Sequence, residues 1–163
     1  MTYSALSVAK AFLDKATEEK ISLSNMKLQK LVFFAHCVAV TALDRRLIKE
    51  DEAIVAWKYG PVIPRLYDRL KHYGNRQVTE IRKNEGDEIT DFQEFDEGSK
   101  KAVDAVWAKY KDADALTLST ISHLDGSPWD TVWNKQNRKY AEIPDGLIKQ
   151  YHQALAGKNQ GDR

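Results

Sequence analysis

The sequence predicts a mainly α-helical fold, a single compact multi-helix domain with a buried central helix and room for one small β-hairpin. Three observations predict it. Apolar residues recur at three-and-four spacing in several separate segments, which is the signature of helices with one buried face. The run from Leu31 to Val40 is apolar or small at nearly every position, as in a helix surrounded by other elements. The length of 163 residues suits one domain, since domains usually run about 100 to 200 residues. The domain is expected over residues 1–156. Gly157 to Arg163 has no apolar anchor and is expected as a flexible C-terminal tail.

The first helix follows from Ala5, Val8, Ala9, Phe12, Leu13 and Ala16 on one face, with Ser4 as its N-cap. Ser24 or Asn25 caps the second, which runs to about Leu43 before the polar Asp44-Arg45-Arg46 turn, with Lys27, Gln29 and Lys30 as a polar side of its first turns. Glu52 to Tyr59 suits a short buried strand or a helical turn, and helix or turn is the expected form. Gly60-Pro61 breaks the chain there. Pro64 then opens a helix on which Leu66, Tyr67, Leu70 and Tyr73 share a face, ended by Gly74.

Asn75 to Glu97 is the most polar stretch, fitting a small hairpin or an irregular excursion around Asn84-Glu85-Gly86-Asp87. Helical spacing returns at Ala102, Val103, Val106, Trp107 and Tyr110, behind a cap at Asp96 or Ser99, and again from Asp114 to Leu124. Ser127 and Pro128 open a short helix carrying Trp129, Val132 and Trp133, and Pro144 opens the last one through Leu147, Ile148, Tyr151 and Leu155.

Composition excludes several function classes. Lys+Arg 25 against Asp+Glu 24 gives a net charge of +1, short of the basicity that drives nucleic-acid or anionic-membrane binding. No segment reaches the roughly 20 apolar residues of a membrane helix, and the N-terminus does not read as a secretion signal, so a cytoplasmic protein is expected. The lone Cys37 forms no internal disulfide and reads as a small core residue. His36, His72, His123 and His152 are scattered, with no pair spaced to share a metal, and no phosphate-cradling loop or nucleophile elbow occurs. No catalytic residue, metal or cofactor is therefore assigned. An enzyme built on His72, His123 and Arg69 requires those groups to converge. Carboxylate pairs such as Asp51-Glu52 and Asp87-Glu88 read as solvated surface. Arg65, Arg69, Lys71, His72 and Lys83 could line a nucleic-acid groove, but Asp68 interrupts them.

Two constellations carry more. Lys27 and Lys30 sit at the start of the core helix, where the helix dipole disfavours cations. They fit exposed charges met by a nearby acid, or contacts to a partner's carboxylates or phosphates. Trp57, Tyr59, Gly60, Pro61 and Val62 concentrate aromatic area at a break, which either locks a loop on the core or offers anchors to a partner.

The run Met26-Lys27-Leu28-Gln29-Lys30-Leu31-Val32-Phe33-Phe34-Ala35-His36, followed by Tyr59-Gly60-Pro61-Val62-Ile63-Pro64 with Leu66-Tyr67, and later His123-Leu124-Asp125-Gly126-Ser127-Pro128-Trp129, resembles the Panacea antitoxin domain family of SocA-like and phage-associated GepA-like proteins. The likeness extends from about Ala5 to Leu155. The resemblance implies a non-enzymatic helical domain, the antitoxin of a bacterial or (pro)phage toxin–antitoxin system, which neutralises a cognate toxin protein by direct protein–protein binding. It also carries alternatives: a proteolytic adaptor that delivers the toxin to a cellular protease, or a phage-associated regulatory protein without a toxin partner. Some relatives have an added DNA-binding segment, whereas this chain begins almost directly with its first helix, against a role in transcriptional autoregulation. Candidate toxin-binding residues under this resemblance are Lys27, Gln29, Lys30, Trp57, Tyr59, Gly60, Pro61, Val62, Pro64 and Tyr67, with Leu28, His123, Pro128 and Trp129 as structural members of the motif. The expected working surface is the Tyr59 to Tyr67 corner, with Lys27 and Lys30 on its rim, covering the toxin's active site or holding the toxin inactive.

Overall fold

The computed structural model describes residues 1–161, and the side chains of residues 1–158. Seven helices carry the described chain: α1 (Ala5–Glu19), α2 (Asn25–Ala42), α3 (Pro64–Leu70), α4 (Glu97–Tyr110), α5 (Ala115–Ser122), α6 (Pro128–Asp130) and α7 (Asp145–Gly161). One antiparallel pair, β1 (Val55–Trp57) and β2 (Gly60–Val62), makes the sheet. The mainly helical class predicted from periodicity is the observed one.

Local chemistry starts each helix where the sequence placed it. Ser4, Ser24, Asp96, Asp114 and Ser127 each accept a backbone N–H from three residues on, at 3.1, 3.2, 2.9, 2.7 and 3.1 Å. Each cap satisfies a donor that the helix start leaves free. Pro64 and Pro128 occupy first turns, where a missing N–H costs nothing.

α2 forms the centre and packs against α1, α4, α5, α7 and β2. Every residue from Leu28 to Cys37 is buried. The expected polar side at Lys27, Gln29 and Lys30 is not a solvent-facing one, because all three are buried as well. The buried polar groups of α2 are paired instead. His36 accepts the Ile48 N–H at Nδ1 (3.3 Å) and donates from Nε2 to Asp145 (2.8 Å), whose other oxygen accepts from Arg46 (2.7 Å). Burial would raise the Asp145 carboxyl, but His36 and Arg46 hold it below its ordinary value. This network ties the start of α7 to the core helix.

One expectation of form is corrected, and one alternative is decided. Val55–Trp57 is a strand rather than a helix or turn, since a two-residue turn at Lys58-Tyr59 folds Gly60–Val62 back onto it with Trp57 opposite Gly60. The small hairpin therefore lies here and not within Asn75 to Glu97. That polar stretch is irregular apart from one 3-10 turn at Phe92–Glu94. Its backbone is held by the rest of the fold: Val78 N–H donates to Leu23 O (2.7 Å) and Thr90 N–H to Ser7 Oγ (2.6 Å).

Asp87 and Glu52, expected as solvated surface, are buried. Asp87 accepts from Arg65 (2.9 Å), Arg69 and the Asn84 N–H (3.0 Å). Glu52 accepts the Ala5 N–H at the start of α1 (3.1 Å) and lies 3.2 Å from Arg65. Arg65 and Arg69 are thus committed to ion pairs within the fold. The tail expected from Gly157 is helical as far as Gly161, and residues 162–163 lie outside the described residues.

Candidate functional site

Residues of the first turns of α2 grip the backbone of β2 and the residue after it. Gln29 accepts the Ile63 N–H (3.0 Å) and donates back to the Ile63 carbonyl (3.4 Å), so one amide side chain pairs with both backbone groups of a single residue. Lys30 donates from Nζ to the Pro61 carbonyl at 2.9 Å. The Lys-Leu-Gln-Lys and Tyr-Gly-Pro-Val segments are therefore one physical unit. Each buried polar group of the clamp answers another, as burial demands.

From the other side, α5 and α6 close on the hairpin. Ser119 Oγ donates to Tyr59 O (2.8 Å) and Trp129 Nε1 donates to Trp57 O (2.6 Å). Gly60 has a φ of +117°, and a β-carbon there would stand 2.8 Å from Ser122 Oγ and 3.0 Å from Lys30 Nζ. Only glycine meets both demands, the backbone angle and the close approach. His123 packs on Trp129 with ring centroids 5.3 Å apart. The segment after α6 adds a third backbone partner: Ala56 N–H donates to Ala141 O and Tyr140 N–H to Ala56 O, both at 2.9 Å.

Held in this frame is an open groove of about 420 Å³, lined by Asn25, Met26, Gln29, Lys30, Trp57, Lys58, Tyr59, Val62, Tyr67, Gly74 and Tyr140. Its rim is apolar and exposed, with Met26 at 44%, Tyr59 at 65%, Tyr67 at 36% and Tyr140 at 64% of full exposure. Trp57 and Tyr67 meet edge to face at 5.0 Å. Tyr140 has a φ of +65°, a left-handed conformation that costs a bulky residue roughly 1–2 kcal/mol.

The structure brings together Gln29, Lys30, Trp57, Tyr59, Val62 and Tyr67 of the sequence-predicted set. Gly60 and Pro61 are buried beneath them, and Pro64 opens α3. Lys27 lies apart, its Nζ donating to the Lys111 carbonyl at the C-terminal end of α4 (2.5 Å), beside a separate depression. Neither Lys27 nor Lys30 is a rim charge: they are 7% and 2% exposed, and each serves a carbonyl. Burial lowers both ammonium groups, Lys30 to about 8. Leu28 is core. Asn25, Met26, Lys58 and Tyr140 are groove residues that periodicity did not single out.

For other chemistry the arrangement offers less. Arg69 and His72 border one depression, and His123 is not among its lining residues. Among the described residues, no group of three or more His, Cys, Asp or Glu side chains is placed to hold a metal ion. Burial pushes the Cys37 thiol well up, away from the reactive thiolate. No helix of the described residues is long and apolar enough to cross a membrane.

Fold and groove together define a mainly helical domain that holds an aromatic hairpin rigidly at its surface. Residues 28–130 match the family model described as antitoxin SocA-like, Panacea domain. The chain is also 32% identical over 134 residues to the antitoxin SocA of Caulobacter vibrioides (strain NA1000 / CB15N), a match covering 80% of this chain and 70% of that protein. The chain belongs to the SocA-like, Panacea-domain antitoxin family. No solved structure matches it.

Proposed function

We propose that the protein is the antitoxin of a toxin–antitoxin pair and neutralises its toxin non-enzymatically, by seating part of the toxin in the groove between α2, the hairpin and α3. Family membership supports the antitoxin role. The observation that carries the binding mode is the exposed ring set of Tyr59 on the hairpin, Tyr67 on α3 and Tyr140 on the segment before α7, around a hairpin fixed by Gln29, Lys30, Ser119 and Trp129. Rigid aromatic anchors give large contact area with little ordering cost, which is why they dominate interface energetics. The single buried cysteine agrees with action in the reducing cytoplasm.

The test is co-expression in a bacterial host with the product of the adjacent reading frame. Wild type restores growth and co-purifies with that product. Tyr59→Ala combined with Tyr67→Ala, its fold checked by circular dichroism because Tyr67 packs on Trp57, loses both properties, with affinity falling a hundredfold or more. Unchanged rescue by the folded double variant refutes the assigned surface.

A further inference from the structure

Beneath its aromatic rim the groove is electrostatically one-sided. Its lining contains two lysines, Lys30 and Lys58, and no carboxylate. Lys30 has a neutral carbonyl as its hydrogen-bond partner, and Lys58 lies exposed over the Tyr59 ring at 5.4 Å. Elsewhere in the fold Lys10, Lys15, Lys49, Lys111 and Lys149 each pair with an aspartate or glutamate, whereas the buried Lys27, like Lys30, serves a carbonyl. The same groove also holds a buried acceptor without a donor, Asn25 Oδ1.

A buried cation with no counter-ion is a standing cost, and its field is weakly screened by the low-dielectric wall around it. Clefts lined by one sign of charge concentrate that field at the opening. Both features favour a ligand that carries negative charge on an apolar body. Nucleic acid fits poorly, because Arg65 and Arg69, the nearest arginines of α3, are held by Glu52 and Asp87.

We propose that the groove takes an acidic segment of the toxin, seating a carboxylate between Lys30 and Lys58 with apolar side chains against Tyr59, Tyr67 and Tyr140. Asn25 Oδ1 accepts a backbone N–H of the same segment. This rests on the groove being the toxin-binding surface, and it names the chemistry of what enters.

The measurement is the dissociation constant of the full chain for the product of the adjacent reading frame, by calorimetry, for wild type, Tyr59→Ala, Lys58→Glu and Asn25→Asp. Asn25 is the first residue of α2, where the helix dipole favours a carboxylate and burial opposes one, so the fold of Asn25→Asp is checked by its melting temperature before its affinity is read. Lys58 is exposed. Each charge variant is expected to weaken binding tenfold or more, and wild-type affinity to fall as salt rises. If Tyr59→Ala weakens the complex while both charge variants stay within twofold of wild type, the acidic segment is refuted and the groove stands. If all three leave it unchanged, groove and segment fall together. Tight binding of a labelled single-stranded oligonucleotide, lost in Lys58→Glu, would also overturn the proposal.

Discussion

Lys30 shows how a residue that reads as surface charge becomes part of the interior. Its stem runs through the wall between α2 and β2, and its ammonium is spent on the Pro61 carbonyl rather than on an acid. With a folded-state value near 8 against 10.5 in the open chain, the unfolded protein binds the extra proton between those values. Stability therefore rises with pH across that window as the burial penalty is relieved. Wild type is expected to gain about 2 kcal/mol relative to Lys30→Met between pH 7 and pH 9.5, measured by denaturant unfolding. A gap that does not change with pH would contradict the buried, unpaired ammonium. The burial of Lys27 and Lys30 was not legible in the sequence, because the carbonyls that receive them lie 84 and 31 residues away. Cations at a helix start are nonetheless unusual, because the helix dipole disfavours them there.

At the scale of the element, most helix starts were legible because a cap is a local event, fixed by a side chain and an N–H three residues on. Asp96 is the instructive case. It caps α4 through the Ser99 N–H and also accepts from Tyr3 Oη (3.0 Å) and Arg45 (2.6 Å), joining α4 to the N-terminal segment and to the chain after α2. Burial raises its carboxyl, but the hydrogen bonds from Ser99 and Tyr3 and the Arg45 charge outweigh it and bring it to about 2. Replacement by alanine is expected to cost about 1–2 kcal/mol near neutral pH. That difference persists above the ordinary value of 3.8 and shrinks as the pH falls through about 2, which acid titration of both proteins follows by circular dichroism. An equal loss at every pH would mean that Asp96 acts by packing. The hairpin was harder to read than the helices. Three residues per strand give periodicity too little to work on, and β1 is recognised by its partners, β2 on one side and Ala141 on the other.

Over the whole molecule, α2 organises everything else. Helices close around it, and its first turns present Gln29 and Lys30 to the hairpin, so the core and the candidate site share one element. This is why the aromatic corner was visible in the sequence while its full outline was not. Trp57, Tyr59 and Tyr67 stand near one another in the chain, whereas Met26 comes from α2 and Tyr140 from a segment between helices, joined only by folding. The polar Asn75 to Glu97 stretch, by contrast, is tied down by Asp87 and lies outside the groove lining.

Hydrogen exchange of the full chain, alone and in complex with the product of the adjacent reading frame, tests the central claim most directly. Added protection is predicted at the Lys58-Tyr59 turn, the first turn of α2 and the Tyr140 segment. Protection confined to α4, α7 or the 75–97 stretch, or growth rescue without any complex, would contradict it.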